Sequence, residues 1–366
     1  MKLKLLILSI MLTANLCAAP LAKQVQDTNN KQLPQSPIGF IKGFSWGTFG
    51  QNGDYRGTKA EESMKLMAET NANCASIVFA MTMKTKNSTE ILFDKTNPYM
   101  ASDDDVQNAI RLAKVNNLKV ILKPVINCAD GTWRARIEPK DCNLWWQNYT
   151  AAMLHYAKLA QDTNCQAFCI GCEMISTEDA ASPWRTMIAE IRKHYKGALV
   201  YNTNHGREGK INWWDAVDII GISAYYPVGT TNITAALAED VNNVDKKSSI
   251  GQMKKNWGPI RQNLRQLAVK WNRPILFAEI GVRSAKGSSA MPWEYYNDWP
   301  YDADEQARYY QAALEMFWDE PWFAGFAWWA WHSELYPKEQ GQKDRSFCPY
   351  GKPAEQIVKS WYSKER

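Results

Sequence analysis

Along most of the chain, short apolar runs alternate with longer stretches in which apolar residues recur at helical spacing. The runs cover residues 39–46, 73–81, 119–126, 167–173, 198–202, 217–224, 274–281 and 323–331. Each is bounded by turn-forming residues and reads as a buried strand. The helical stretches cover residues 59–70, 102–116, 144–163, 183–194, 250–272, 304–318 and 354–362. Met64, Met67 and Ala68 make the apolar stripe of the first, and Ser102 followed by Asp103, Asp104 and Asp105 gives the second a cap and an acidic first turn. Pro183 stands where a first helical turn tolerates proline. Strands that alternate with helices pair in parallel through crossovers. Eight strands, all but the fifth followed by a helical stretch, with no second sheet therefore predict an α/β protein, a single (β/α)8 TIM barrel.

The length of 366 residues suits one such barrel of about 250 residues with long loops, so residues 38–366 are expected to form a single domain. Residues 23–37 are rich in Gln, Asn and Lys with two prolines and read as a flexible, solvated linker. Residues 1–22 carry Lys2 and Lys4, an apolar segment over residues 5–12, and the small residues Ala18 and Ala19. That pattern is a secretory signal peptide, too short in its apolar part to span a membrane, and it predicts export to the periplasm or the exterior. Cys17 is the position where a lipid anchor would attach instead, but the bulky Leu16 before it disfavours that reading.

Apolar residues make up 45% of the chain and charged residues 22%, which is ordinary for a globular protein and excludes a disordered one. The net charge of +5 is spread along the sequence without a basic block, so nucleic acid is not an expected partner. Seventeen tryptophans, clustered at 145–146, 213–214 and 328–331, are more than a core needs. Flat aromatic faces suit the C–H faces of sugar rings, and the bias points to a carbohydrate cleft.

Two of the predicted strands end in a glutamate, Glu173 after Ile170-Gly171-Cys172 and Glu279 after Phe277-Ala278. A buried strand has no structural use for a carboxylate at its end. In a barrel the carboxyl ends of the strands build the active face, and strands four and seven lie roughly opposite across it. The other residues expected there are Trp46, Lys123, Asn127, the segment 202–205 with Asn204 and His205, Tyr225, Tyr226, Trp331 and His332. Two carboxylates facing each other across a sugar site can cleave a glycosidic bond, one donating a proton to the leaving oxygen and the other attacking the anomeric carbon. The competing reading is that one glutamate is salt-bridged to a barrel lysine such as Lys123. No metal motif, phosphate-binding glycine loop or complete serine triad is present, and no cofactor is expected.

The glutamates ending strands four and seven, the tyrosines of Ser223-Ala224-Tyr225-Tyr226-Pro227 and the tryptophan ending strand eight resemble clan A of the glycoside hydrolases. Within that clan the chain is most similar to glycoside hydrolase family 113, the β-1,4-mannanases. The segments that carry the similarity are Gly43-Phe44-Ser45-Trp46, Ile170-Gly171-Cys172-Glu173, Phe277-Ala278-Glu279-Ile280-Gly281 and Trp328-Trp329-Ala330-Trp331, and the match spans residues 38–361. The resemblance implies Glu173 as acid/base and Glu279 as nucleophile. It further implies a hydrogen bond to the nucleophile from Tyr225 or Tyr226 and a sugar platform at Trp329 or Trp331. Many clan members have asparagine before the acid/base as the 2-hydroxyl contact. Cys172 stands there instead, which moves the contact to Asn127 or Asn204. Lys123 either donates to sugar hydroxyls or balances local negative charge, and His205 either lines the cleft or is a satisfied loop residue.

The expected activity is a retaining, endo-acting hydrolysis of β-mannan or glucomannan by a monomeric enzyme. The alternatives are another β-glycan substrate (xylan or β-glucan), exo-acting mannosidase action, or a barrel that binds glycan without cutting it. Seven cysteines remain beyond Cys17, so at least one thiol stays unpaired within the chain. Cys128 and Cys142 flank one loop and could close it as a disulfide. Cys165, Cys169 and Cys172 read as buried thiols rather than metal ligands. The aromatic loop over residues 293–301 either extends the cleft or packs as a lid.

Overall fold

The structure, a computed structural model, describes residues 33–93, 99–246 and 248–366. The predicted signal peptide and Cys17 lie outside the described residues. Of the predicted linker, residues 33–37 are described, with Leu33 packed against the core and the Gln35 amide donating to the Pro321 carbonyl at 3.1 Å.

Eight strands close into one barrel in chain order, each parallel to its neighbours. They are β1 (Ile41–Trp46), β2 (Cys74–Met83), β3 (Lys119–Cys128), β4 (Ala167–Cys172), β5 (Ala198–Asn204), β6 (Ile219–Ser223), β7 (Ile275–Ile280) and β8 (Phe323–Trp331). The helices are α1 (Thr58–Ala68), α2 (Asp103–Val115), α3 (Cys142–Asp162), α4 (Ala181–His194), α5 (Ile233–Leu237), α6 (Ile250–Trp271), α7 (Ala303–Phe317) and α8 (Pro353–Tyr362). The single (β/α)8 barrel expected from the pattern is what the chain forms. The units are not uniform, however. The β5–β6 connection carries only a 3-10 turn at Trp214–Ala216, and the β6–β7 connection carries two helices, α5 and α6. The α2 cap is as predicted: Ser102 accepts from the Asp105 N–H while the Asp105 carboxylate accepts from the Ser102 N–H.

Side-chain alternation sorts the strands into two apolar layers. Small or branched residues such as Ile41, Ala167, Cys169, Val200, Leu276 and Ala278 fill the barrel interior, where eight converging strands leave little room. Larger residues on the opposite face, such as Phe168, Tyr201 and Phe277, join the helices in the main core. Most of the tryptophans belong to this outer layer. Trp46, Trp145, Trp184, Trp213, Trp214, Trp257, Trp322, Trp328 and Trp331 are all fully buried, so the clusters that suggested a sugar cleft from composition are largely structural. All seven described cysteines are free. Cys128 is buried and Cys142 exposed, so the disulfide considered for them is not formed.

Three strands break the alternation near their carboxyl ends. Between the β4–β5 pairs Cys169–Val200 and Cys172–Asn202, β4 advances three residues while β5 advances two. Between Gly221–Leu276 and Ser223–Glu279, β7 gains one residue on β6, and it does so again on β8 between Phe277–Phe326 and Ile280–Trp328. On β8, Trp331 pairs with Trp46 one residue late after Phe44–Trp328. An extra residue in one strand turns the following side chains by one face, which is how bulges re-aim residues next to functional sites. Strict alternation would send Glu279 outward with Phe277. The bulge brings it inward.

Candidate active site

Glu279 sits on the floor of the barrel mouth and is 6% exposed, with every one of its contacts a donor. The Lys123 ammonium from β3 pairs with Oε1, and the two side chains are 1% and 7% exposed. The Cys172 thiol also donates to Oε1 at 3.4 Å, and Asn202 Nδ2 approaches it at 3.5 Å. Tyr225 donates its hydroxyl to Oε2 at 3.0 Å. Burial alone would raise the pKa of this carboxyl. Lys123, Arg134 and the Tyr225 hydroxyl outweigh it and hold Glu279 below the usual carboxylate range. For Lys123, burial works against the charge, and Cys172 and Glu279 more than compensate, so the ammonium is kept.

Glu173 follows β4 directly with φ +55°, in the left-handed region that residues other than glycine rarely occupy. Such backbone costs about 1 kcal/mol or more and persists where the surroundings enforce it. Its N–H donates to the Asn202 carbonyl at 2.7 Å, and the Asn202 side chain reaches Cys172 and Glu279. One asparagine thus ties both glutamates to the end of β5. The Glu173 carboxylate accepts at Oε2 from Arg134 Nη1 at 2.8 Å and from Trp133 Nε1 at 3.3 Å. Burial, followed by the charge of Glu279, raises its pKa despite the opposing pull of Arg134. The two carboxyl groups are therefore driven apart, one toward retaining its proton and the other toward losing it.

The mouth collects only some of the residues expected there. Tyr225 touches Glu279, whereas Tyr226 turns away and donates to Glu208 Oε1 at 2.9 Å. Lys123 is sealed beneath Glu279 and has no access to the cleft as a direct sugar donor. Asn127 is half-buried at the end of β3, with Oδ1 accepting from Arg134 Nη2 at 2.8 Å. Asn204 ends β5 on the same face as Asn202. His205 stacks on Trp293 with ring centroids 5.4 Å apart, and burial pushes its pKa down to about 4, so the ring is neutral.

Trp46 and Trp331 are core residues, not platforms. Trp46 donates to the Ser63 hydroxyl, Trp331 donates to the Ser63 carbonyl, and both are fully buried. Trp329 is half-buried and packs with Phe49 against Val78, Val125 and Cys172, whose thiol donates to Glu279. Within the aromatic loop after β7, Trp293 and Trp299 join a small apolar cluster with Met291, while Tyr295 and Tyr296 stay exposed.

Sequence reasoning missed Trp133, Arg134 and Phe49. Trp133 and Arg134 lie in the β3–α3 connection at the start of a single 3-10 turn (Arg134–Arg136), too short to show a periodicity, and Phe49 follows β1 with positive φ. Among the described residues no group of three or more His, Cys, Asp or Glu side chains is placed to hold a metal, and no described helix is long and apolar enough to cross a membrane.

The sequence pattern of Glycoside Hydrolase Family 113 matches residues 44–352. Among solved structures, the family 113 β-mannanase AaManA from Alicyclobacillus acidocaldarius, in complex with ManMIm, is similar at 37% identity and a TM-score of 0.79, covering 89% of this chain and 97% of its own. A complex of a family 113 β-1,4-mannanase is similar at 33% identity and a TM-score of 0.79, covering 89% of this chain and all of its own. The Ruminococcus gnavus β-glucuronidase, at 13% identity and a TM-score of 0.58, covers 91% of this chain and 53% of its own, and shares the fold. No curated protein sequence matches the chain.

Proposed function

The chain belongs to glycoside hydrolase family 113, and from that premise we propose that it cleaves β-1,4-mannosidic bonds within mannan or glucomannan with retention of anomeric configuration. The observation that carries the reading is the pair of glutamates with opposed protonation preference at the carboxyl ends of β4 and β7. The substrate class rests on the β-mannanases that the chain resembles along nearly its full length.

Three donors converge on Glu279 Oε1, whereas among the described residues Oε2 accepts only from Tyr225. Oε2 keeps a lone pair and is the attacking atom. In the first half-reaction its electron pair forms the bond to the anomeric carbon while the glycosidic C–O bond breaks, and Glu173 gives its proton to the departing oxygen. In the second, a water attacks the anomeric carbon and Glu173, now a carboxylate, takes that water's proton as the ester to Glu279 breaks. Trp329 offers a flat face beside the nucleophile for the sugar being cleaved.

The test is product analysis after incubating the protein and its Glu279→Ala variant with β-mannan, glucomannan, xylan and carboxymethyl cellulose. Short manno-oligosaccharides from the unmutated protein alone support endo-acting mannan hydrolysis with Glu279 as nucleophile. Mannose as the sole product moves the reading to exo action, and cleavage of xylan or cellulose in preference to mannan overturns the substrate class. Proton NMR of the first-formed product distinguishes retention from inversion. We also infer export from residues 1–22, which sequencing of the mature amino terminus tests.

A further inference from the structure

Arg134 holds two side chains of the site at once, and all three of its guanidinium nitrogens are engaged. Nε donates to the Ile126 carbonyl at 3.1 Å, Nη1 to Glu173 Oε2 at 2.8 Å and Nη2 to Asn127 Oδ1 at 2.8 Å. The first bond ties the planar fork to the backbone of β3, so the other two aim from a fixed base. Its side chain is 13% exposed, against 10% for Glu173, and it lies over the Phe49 ring at 5.7 Å.

The chemistry of the donors decides where protons sit. Neither a guanidinium nor an indole N–H accepts a hydrogen bond. A proton on Glu173 Oε2 would face the Arg134 and Trp133 N–H groups and find no acceptor. The same argument orients Asn127. Its oxygen must face Arg134, which leaves the amide NH2 on the other side without a partner among the described residues.

We propose that Arg134 is a positioning residue that selects Oε1 of Glu173 as the oxygen carrying the catalytic proton and leaves the Asn127 amide N–H free to donate to a sugar hydroxyl. The proposal rests on the glycosidase reading above. The proton then leaves Oε1 for the glycosidic oxygen as Glu279 Oε2 forms its bond to the anomeric carbon. In the return step Oε1 accepts a proton from the attacking water. While Glu279 is esterified it carries no charge, and Arg134 stabilises Glu173 as the carboxylate that this step requires.

Several groups face Glu173 besides Arg134. They are Glu279 from β7, Lys123 from β3, Cys172 from β4 and Tyr225 after β6, with Trp133, Ser223 and Asn202 as neutral donors nearby. A titration of Glu173 therefore has to be compared across variants that change Arg134 alone.

The experiment labels the protein with carbon-13 at the glutamate carboxyl and follows the Glu173 signal, identified by its loss in Glu173→Gln, through a pH titration. Removing the charge in Arg134→Gln should raise the Glu173 midpoint by about one to two units. Arg134→Lys should leave the midpoint near that of the unmutated protein, because the charge remains, while kcat on β-mannan falls about 10- to 100-fold because the fork is gone. The alkaline limb of kcat/KM should move upward in Arg134→Gln and stay in place in Arg134→Lys. Trp133→Phe, which removes one donor from Oε2, provides a second route should Arg134→Gln not fold, with a smaller upward shift expected. An unmoved midpoint in Arg134→Gln, or in Trp133→Phe where that variant is the one that folds, overturns the proposal. So does full kcat in Arg134→Lys. An unmutated protein that cuts no β-mannan would remove the functional reading, yet the titration would still decide whether Arg134 governs Glu173.

Discussion

Lys123 and Glu279 form an ion pair at the floor of the barrel mouth, with side chains 1% and 7% exposed. A pair this deeply placed is costly to create and more costly to break, since removing one partner strands a charge without solvent. Lys123→Met should therefore lower stability by about 3–5 kcal/mol. The pH dependence follows from the two shifts. The lowered pKa of Glu279 adds stability that is present above the ordinary glutamate value, near ~4.3, and is lost as pH falls through the folded value. The raised pKa of Lys123 adds stability that is present below ~10.4 and is lost as pH rises through its folded value. Denaturant unfolding of both proteins should show the widest gap near neutral pH, closing in acid as Glu279 is protonated. A constant gap from pH 3 to pH 7 would contradict the pairing.

The proposed mechanism requires Glu279 ionised and Glu173 protonated, so kcat/KM should rise as pH passes the lowered pKa of Glu279 and fall as it passes the raised pKa of Glu173. Tyr225→Phe removes the donor on Oε2 and should move the acid limb to higher pH, with a loss in kcat of about 10- to 100-fold. Tyr226→Phe should leave that limb in place, because Tyr226 bonds Glu208 instead. A pH–rate profile of each variant reads the difference directly.

Trp329 and Trp331 are two residues apart on β8 yet face different surroundings. Trp329→Ala should raise KM or lower kcat on β-mannan with a modest change in Tm. Trp331→Ala empties a site in the core and should cost about 3–5 kcal/mol of stability. Steady-state kinetics beside thermal unfolding separates the two. Equal stability losses would place Trp329 in the core as well.

Of the seven described cysteines, Cys142 is exposed and the other six are buried. A thiol reagent should modify Cys142 rapidly in the native protein and reach the others only on unfolding. Cys142→Ser should abolish the fast phase, and reducing agent should leave Tm unchanged, since no disulfide joins Cys128 and Cys142.

The alternation of apolar runs and helical stretches was enough to place all eight strands and the order of the barrel, because burial on both faces makes a parallel strand a continuous apolar run. Glu173 and Glu279 were legible for the same reason: a carboxylate ending such a run contradicts its surroundings. Which way those side chains point was not legible. By strict alternation Glu279 leaves the barrel with Phe277, and only the pairing of β7 with both β6 and β8 inserts the residue that turns it inward. Tyr225 could not be told from Tyr226, nor Trp329 from Trp331, because neighbours of one type differ only in the face that tertiary register assigns them. The clustered tryptophans suggested a sugar cleft by composition and Trp46 was expected at the barrel mouth, yet the space between strands and helices needed the same large flat side chains. Arg134 left no trace at all, since a single 3-10 turn shows no period and its two side-chain partners, Asn127 on β3 and Glu173 just after β4, are brought to it only by the fold. The residue types and their order determined the fold and singled out the two glutamates. Only the packed barrel, through its bulges and long-range contacts, decided which neighbours surround each carboxyl group and in which direction they push its pKa.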